Sequence, residues 1–237
     1  MNRFLYVLTM TLLMALTAMA GETERRELHV GDFTSLHVVD NLHVVYRSNA
    51  DSAGTAVVEA APEVLRGLIF NNNTKGKLSV QATAAVLTGG ALPIITVYST
   101  SLTDAHNAGD SLLVLEQVKA GDKLLVRLSD NGGILVKDVH ATTLDLNILT
   151  GHGTIEASGS CDKLNIRLIG TGRIDALHVK AQDLFCRLVG TGTIVCDAHK
   201  IPLAVRGSGT GTVQYRGTPT EVKVNKLGPL KVVPLED

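Results

Sequence analysis

The sequence predicts an all-β fold, a single-domain parallel β-helix with about 20 residues per rung and an irregular N-terminal cap. The main observation is a Gly-x-Gly tripeptide that recurs in the second half of the chain, with its first glycine at positions 151, 170, 190 and 209. The intervals are 19, 20 and 19 residues, and a fixed period of this length is typical of a solenoid. The predicted corner residues are Gly151, Gly153, Gly170, Gly172, Gly190, Gly192, Gly209 and Gly211.

Alternating hydrophobic residues within each repeat are the second observation. They occupy every other position of residues 144–148 and, one period later, of residues 164–168. Such alternation indicates strands with one buried face. A strand rises about 3.3 Å per residue, so 20 residues hold two or three short strands with tight corners, whereas a strand–helix–strand unit needs about 30 residues.

Glycine suits these corners because it reaches positive φ without steric cost. The residue between the glycines is expected to stack on its equivalent in the next rung, at about 4.8 Å. These stacked residues are His152, Thr171, Thr191 and Thr210. A nucleotide-binding loop is not favoured, because residues 170–175 lack the third glycine of that motif and continue into a strand rather than a helix.

The composition limits both the core and the function. The 237 residues carry a net charge of −1, 45% are hydrophobic and only 3% are aromatic. One all-β domain accommodates this length, and its core must be aliphatic. A nucleic-acid-binding protein would show a basic surface, so no nucleic-acid partner is predicted. No cofactor is predicted either.

The first 20 residues have the pattern of a signal peptide. Arg3 precedes an apolar run from Phe4 to Leu16, and Ala18-Met19-Ala20 resembles a cleavage site. Residues 21–237 would then form the mature domain, exported to the periplasm, the outer-membrane surface or the medium. No later apolar run is long enough for a transmembrane helix, and no cysteine follows the signal to carry a lipid anchor.

The mature chain divides into two parts in order. Residues 28–100 contain short β-prone runs of uneven spacing and are predicted to form irregular N-terminal rungs, since a solenoid must close its end with atypical repeats. Within them we expect a two-residue turn at Asp40-Asn41, a short helix from Pro62 to Leu68 and a loop from Ala82 to Ala91. Residues 101–230 are predicted to form the regular rungs.

The regular pattern begins with two degenerate corners, at residues 107–112 and 130–135. Gly132 lies 19 residues before Gly151, which keeps the period, but Gly109 lies 23 residues before Gly132. One loop between these two corners should therefore be longer.

The three cysteines leave two states open. Cys186 and Cys196 lie in the two strands of one repeat, where a disulfide across the rung could form. Both also occupy positions that hold small or aliphatic residues in neighbouring repeats, as expected of buried hydrophobes. The odd number of cysteines and the lack of metal-ligand spacing favour the second state, and Cys161 has no assigned partner.

Three histidines, His29, His37 and His43, lie at strand spacing in the N-terminal rungs. A metal site would need supporting cysteines or acidic residues. None accompanies them, so exposed positions without a metal are favoured and no metal site is predicted.

A column of polar residues is the strongest candidate for a binding site. Equivalent positions of successive repeats should form an outward row about 4.8 Å apart, and arginine suits the recognition of carboxylates and phosphates. We hypothesise that this row binds an anionic glycan or a carboxylated cell-wall polymer. Its residues are Asn147, Arg167, Arg187 and Arg206. The competing interpretation, which the sequence favours, is a solvated face whose arginines are neutralised by nearby acids.

Catalysis is the next alternative, because some parallel β-helices act on polysaccharides. Glu156 and Asp175 would lie on adjacent rungs, at a separation that suits a pair of catalytic carboxyls. They would, however, lie on a flat strand without long loops to form a cleft. No catalytic residue is therefore assigned, and a non-enzymatic protein is predicted.

The order of several short motifs resembles one family, the auto-transporter adhesin heads with a GIN domain, which are exported proteins of Bacteroidetes-type bacteria. The resemblance covers essentially the whole mature chain. It rests on residues 32–38, 44–46, 77–80 and 108–111 and on Gly170-Thr171-Gly172. It implies a right-handed β-helical fold and export, and an adhesion role more weakly. The chain departs from common members in its Ala82–Ala91 loop and at His152.

The sequence thus predicts an exported, non-enzymatic binding or scaffold protein of the cell envelope. Its partner would be a glycan or an envelope protein, and oligomers could form. The alternatives are a polysaccharide-active enzyme and a purely structural envelope module that assembles end to end.

Overall fold

The structure, a computed structural model, describes residues 23–235. It is a β-solenoid of about seven turns. The strands are β1 (Glu24–His29), β2 (Ser35–Val38), β3 (His43–Ser48), β4 (Thr55–Ala60), β5 (Leu68–Asn72), β6 (Lys77–Ala82), β7 (Ile94–Ser99), β8 (Asp104–Asn107), β9 (Leu112–Glu116), β10 (Lys123–Leu128), β11 (Gly133–Ile148), β12 (Thr154–Gly170), β13 (Arg173–Lys180), β14 (Asp183–Gly190), β15 (Thr193–Asp197), β16 (Pro202–Gly209), β17 (Thr212–Arg216), β18 (Glu221–Leu227) and β19 (Lys231–Pro234). The helices are α1 (Pro62–Gly67) and α2 (Ala84–Thr88).

Two long sheets run the length of the solenoid. Sheet 1 follows the order β5-β6-β2-β8-β10-β11-β12-β14-β16-β18, and sheet 2 the order β1-β4-β7-β3-β9-β11-β12-β13-β15-β17-β19. Strands β11 and β12 are long enough to bend around a corner and contribute to both sheets. Residues 139–141, 159–161 and 178–180 pair as a short third ladder.

The core is a set of aliphatic columns, as the composition predicted. Leu144, Leu164, Leu184 and Leu203 are stacked in register and no more than 1% exposed. Each rung presents the same small cross-section, so one hydrophobic residue per position repeats along the axis. This register directs the alternate residues of every strand outward.

The N-terminal rungs are stacked out of chain order. The rung β6–β7 lies outside the rung β2–β3, and the rung β8–β9 lies on the other side of β2–β3. Strands β1, β4 and β5 pair antiparallel at this end. The turn expected at Asp40-Asn41 is a corner between the two sheets and not a hairpin, because β2 and β3 pair with different strands.

Two helices accompany this end. The helix expected from Pro62 to Leu68 is α1, which stops one residue earlier, at Gly67. The expected Ala82–Ala91 loop contains a second short helix, α2. Neither helix is long and apolar enough to cross a membrane, and the rest of residues 23–235 contains no such helix. The predicted signal peptide, residues 1–20, lies outside the described residues.

The two glycines of each corner serve different purposes. Gly190 has a φ of +127°, which L-residues rarely adopt. Gly192 has no positive φ, but a Cβ there would meet the carbonyl oxygen of Gly172 at 2.5 Å and a methyl group of Leu168 at 2.6 Å. The second glycine is therefore required by close approach of the preceding rung. Only the first reason was foreseen from the sequence.

All three cysteines are free thiols and buried. Cys186 lies in the core column between Ile166 and Val205, which agrees with its expected role as a small hydrophobe. The disulfide that the sequence left open is absent from residues 23–235.

Candidate binding face

The arginine ladder, defined as Asn147, Arg167, Arg187 and Arg206, lies on the outer face of sheet 1. Its members occupy β11, β12, β14 and β16 and are direct neighbours in the register of these strands. Each is flanked by inward residues that anchor the strand in the core. Parallel pairing therefore brings the side chains into one row about 4.8 Å apart.

The three arginines of the ladder are exposed to solvent, and no acid among the described residues is paired with their charges. None of them has an ion pair within residues 23–235. The guanidinium of Arg206 lies 5.9 Å from the centre of the Phe185 ring, a cation–π contact. Neutralisation by nearby acids, which the sequence favoured, is not found in the described part of the chain. Asp145, an acid on the same face, pairs with Lys123 and Asn165.

The row continues towards the N-terminal end beyond the residues identified from the sequence. Arg127 pairs with Asn147, His106 with Arg127, and His37 with His106. Sequence reasoning did not place these residues in the row, and it considered His37 only as a possible metal ligand. Arg127, which lies 20 residues before Asn147, could have been found by extending the period by one step.

Arg127 differs electrostatically from the ladder. Its Nε and Nη2 donate to the two carboxylate oxygens of Asp104, at 3.1 and 2.6 Å. Asp104 also accepts a hydrogen bond from Ser35. The charge of Arg127 is thus compensated, and the uncompensated positive charge of this row is concentrated at Arg167, Arg187 and Arg206.

His37 and His106 form a parallel stack in which the ring centres are 4.6 Å apart. Nε2 of His106 lies 3.0 Å from Oγ of Ser129. Burial is the main reason that the pKa of His106 is lowered to about 4; the proximity of His37, Arg127 and Lys77 contributes to this lowering, and Asp104 opposes it. Burial also lowers the pKa of His37. Both rings are therefore neutral at pH 7.

Acidification should destabilise the fold through this stack. The pKa of His106 is about 4 when folded and about 6.5 when unfolded. Between these values the unfolded chain binds more protons, so the free energy of unfolding falls as the pH drops from about 7 to about 4. Because the ring is partly exposed, we expect a loss of about 1–2 kcal/mol, smaller than the full shift implies. Urea unfolding at a series of pH values measures it.

The variant His106→Gln provides the control for that measurement. It removes the titrating ring and keeps a polar side chain beside Ser129. The pH dependence between about 4 and 6.5 should become shallower in the variant. An identical slope in both proteins would contradict the assignment to His106.

Aliphatic side chains line one side of the ladder. Leu149, Ile169 and Val189 each lie two residues beyond a ladder member, on the same outer face, and the polar Ser208 continues this row on the next rung. Leu149 is 37% exposed, and Ile169 and Val189 are half-buried. On the other side of the ladder, the Phe185 ring is half-buried. The face therefore combines positive charge with apolar surface.

The acidic pair on sheet 2 is arranged as expected, but its environment is open. Glu156 and Asp175 are neighbours in the register of β12 and β13. Asp175 forms a salt bridge with Arg173 at 2.8 Å, while Glu156 is exposed. They line a shallow depression of about 350 Å³. Two carboxyls without an enclosing cleft do not provide a glycosidase site of the usual kind.

Residues 23–235 contain no group of three potential metal ligands. His29 lies in β1, His37 in β2 and His43 in β3, and they do not converge on a site. Burial raises the pKa of the Cys161 thiol to about 11, so the reactive thiolate is scarce at neutral pH.

A match over most of the sequence identifies the family of this protein. Residues 32–219 match the family described as "Putative auto-transporter adhesin, head GIN domain". The chain belongs to this family. No protein of curated function matches it significantly.

Solved structures share the fold of this GIN domain. A putative adhesin from Bacteroides fragilis superposes with a TM-score of 0.75 at 16% identity, covering 90% of this chain and 97% of the other. A putative adhesin from Parabacteroides merdae gives 0.69 at 16% identity, covering 92% and 98%. A putative lipid binding protein from Parabacteroides distasonis gives 0.69 at 18% identity, also covering 92% and 98%. At these identities the likeness establishes the β-solenoid fold of the GIN domain and nothing about its ligand.

Proposed function

We propose that this GIN domain is an exported, non-enzymatic binding protein of the adhesin type whose arginine ladder holds an acidic glycan. The supporting observation is that three arginines on consecutive rungs are exposed and lack ion pairs within residues 23–235. The name of the family supports an adhesion role, and the predicted signal peptide supports export.

The energetics of the ladder favour a ligand. Like charges directly opposite one another on neighbouring strands destabilise a sheet, and Arg187 has an arginine on each side. A polymer with carboxylates or phosphates would relieve this repulsion, and guanidinium groups bind such anions through two parallel hydrogen bonds. The ladder therefore costs stability in the free protein and supplies affinity in the complex.

The substitution Arg187→Gln tests the role of the ladder. Purified residues 21–237 would be applied to an array of acidic and neutral glycans at low and moderate salt, with both retention and cleavage recorded. A hydrogen bond to a charged group contributes about 1.5–3 kcal/mol, so retention on acidic glycans should fall about 10- to 100-fold. Stability should remain equal or rise slightly, because the repulsion is removed.

Arg66→Gln is the matched control, because Arg66 is an exposed arginine in α1, far from the ladder. It should retain glycans as the unmodified protein does. Equal retention by Arg187→Gln and the unmodified protein would refute the ladder as the binding site. Cleaved glycan on the array would refute the non-enzymatic assignment and point to Glu156 and Asp175.

Lipid binding is a second candidate function. It is favoured by the exposed Leu149 and the half-buried Ile169 and Val189 beside the ladder, and one structural relative is named a lipid binding protein. The two candidates are separated by sedimentation with vesicles of anionic phospholipid. Retention by such vesicles but not by acidic glycans, lost in Leu149→Ser, would replace the glycan with an anionic lipid.

A further inference from the structure

The C-terminal end of the solenoid leaves part of its core uncovered. Val222 and Val224 of β18 pair in register with Leu203 and Val205, which are 1% exposed. Val222 itself is 44% exposed and Val224 is 42% exposed. These valines therefore face the core side of β18, and within residues 23–235 no strand covers them.

The opposite end of the solenoid is closed. The outermost parallel rung there contributes Leu78, Val80, Ile95 and Val97 to the core, and all four are fully buried. Antiparallel strands β5 and β4 flank this rung, and the two helices lie beside them. The core residues of the N-terminal end are covered, whereas Val222 and Val224 at the C-terminal end are exposed.

Half of the C-terminal rung closes on itself. Leu230 is fully buried, and a methyl group of it occupies the space beside Gly207, where a Cβ would come within 2.9 Å. Lys226 of β18 pairs in register with Gly207 of β16. Its ammonium group donates a hydrogen bond to the carbonyl oxygen of Leu230 at 2.6 Å. All of β18 is exposed, but its hydrophobic residues that continue the core columns of β16 are Val222 and Val224, in the first half of the strand.

This half also has a free sheet edge. Within residues 23–235, β18 pairs with β16 on one side only. Directly after β16, the Thr210 N–H donates to the carbonyl oxygen of Gly190 in β14. Because backbone groups alternate in direction along a strand, those of Leu203 and Val205 point the other way, towards β18. In the register of β18 they meet those of Glu221 and Lys223, which leaves the backbone groups of Val222 and Val224 at the open edge. Such an edge is completed by another strand rather than by a sugar or a lipid.

We propose that the occupant is a second copy of this chain, joined by antiparallel pairing of the two β18 strands around a twofold axis at Val222. In this register Glu221 lies opposite the partner's Lys223, and Lys223 lies opposite the partner's Glu221. The two valines at the axis cover each other, and Val224 is covered by the partner's Thr220. Within one chain Lys223 and Glu221 already form an ion pair at 3.0 Å, and across the axis each charge again lies beside an opposite one, as a twofold interface requires.

The same features limit the assembly to two copies. A head-to-tail contact would need a second open end and would continue into a filament, but the N-terminal end is closed. The paired surface is one strand edge, smaller than a standard interface of about 800 Å² per partner. The dimer should therefore be weak, with a Kd in the micromolar range or above, and visible only at high protein concentration.

Sedimentation velocity of residues 21–237 from about 10 µM to about 1 mM tests the dimer, since this range spans the expected Kd. Glu221→Lys and Lys223→Glu should each weaken dimerisation about tenfold, because each places like charges opposite one another twice. The double variant Glu221→Lys/Lys223→Glu should restore the Kd to within about threefold of the original. Glu156→Lys, an exposed acid on sheet 2, is the matched control and should leave the Kd unchanged.

Two outcomes would overturn the proposal. One is a monomer at all concentrations. The other is a dimer whose Kd is insensitive to the two single substitutions, or is not restored in the double variant. The thermal midpoint of each variant shows that the fold is intact. Because β18 edge residues are distinct from the arginine ladder, glycan retention by these variants separates failure of the dimer from failure of the proposed function.

Discussion

Gly190→Ala is expected to lower the free energy of unfolding by about 3–5 kcal/mol, a large part of the stability of a typical domain. The φ of Gly190 is +127°, and a Cβ there would lie 2.3 Å from the carbonyl oxygen of Gly170. That oxygen already accepts hydrogen bonds from the N–H groups of Thr191 and Gly192. The methyl group therefore strains the backbone and breaks the contact between two rungs. Urea unfolding followed by circular dichroism measures the loss.

Gly121→Ala is the matched control for this substitution. Gly121 is exposed, has no positive φ, and a Cβ there would meet nothing within 4 Å. The same chemical change should be neutral or stabilise the protein by up to about 1 kcal/mol, because alanine has less freedom in the unfolded chain. Equal losses in both variants would show that the corner geometry does not explain the effect.

Asn107→Ala is expected to cost about 2–4 kcal/mol. Asn107 is fully buried in a column that holds Val38 and Leu128 in the neighbouring rungs. Its Nδ2 donates to the carbonyl oxygens of Ser111 and Gly133, at 2.8 and 3.1 Å, and its Oδ1 accepts from the N–H of Gly109. Alanine would leave these buried backbone groups unpaired. Chemical denaturation of the variant gives the size of the loss.

Two further variants isolate the hydrogen bonds from the packing. Asn107→Leu restores the volume of the column but not the hydrogen bonds, so it should remain destabilised; a neutral result would mean that packing alone matters. Asn165→Ala removes a surface hydrogen bond to Asp145 at 2.7 Å. Because water can replace that partner, its cost should be about 0.5 kcal/mol or less.

The period of the sequence was sufficient to predict the regular rungs. Residues one period apart, such as Leu144, Leu164 and Leu184, are stacked in the structure. The degenerate corners at Gly109 and Gly132 are also stacked, since a Cβ at Gly132 would meet the carbonyl oxygen of Gly109 at 2.2 Å. In a solenoid each rung contacts its neighbours, so a local pattern determines the long-range register.

The N-terminal rungs could not be predicted in the same way. Strands β6 and β7 pair with β2 and β3 across intervening strands and a helix, and no repeated motif marks the pairing. The short helix α2 lies where glycines and the small residues of the Ala82–Ala91 segment indicated a loop. Antiparallel additions such as β4 and β5 depend on tertiary packing, which hydrophobic alternation alone does not specify.

The candidate site was predicted in part. The period identified Arg167, Arg187 and Arg206 as neighbours, and the structure places them in register. Whether their charges were compensated depended on distances to acids in other rungs, which a sequence does not contain. His37 stacks on His106, which lies 69 positions later in the chain. The rings meet because β2 pairs directly with β8, while β6 lies on the other side of β2. No local pattern in the sequence could reveal this pairing.

The placement of β6–β7 outside β2–β3 also gives the solenoid a direction of growth. A chain that emerges N-terminus first, from a ribosome or a translocon, releases both of these rungs before residue 100. The closed end is then complete before any regular repeat appears, and its free edge acts as a template on which each later repeat can settle within one period of chain. A terminus that is sealed before elongation begins leaves the nascent protein one growing end, rather than two, at which unfinished chains could join one another.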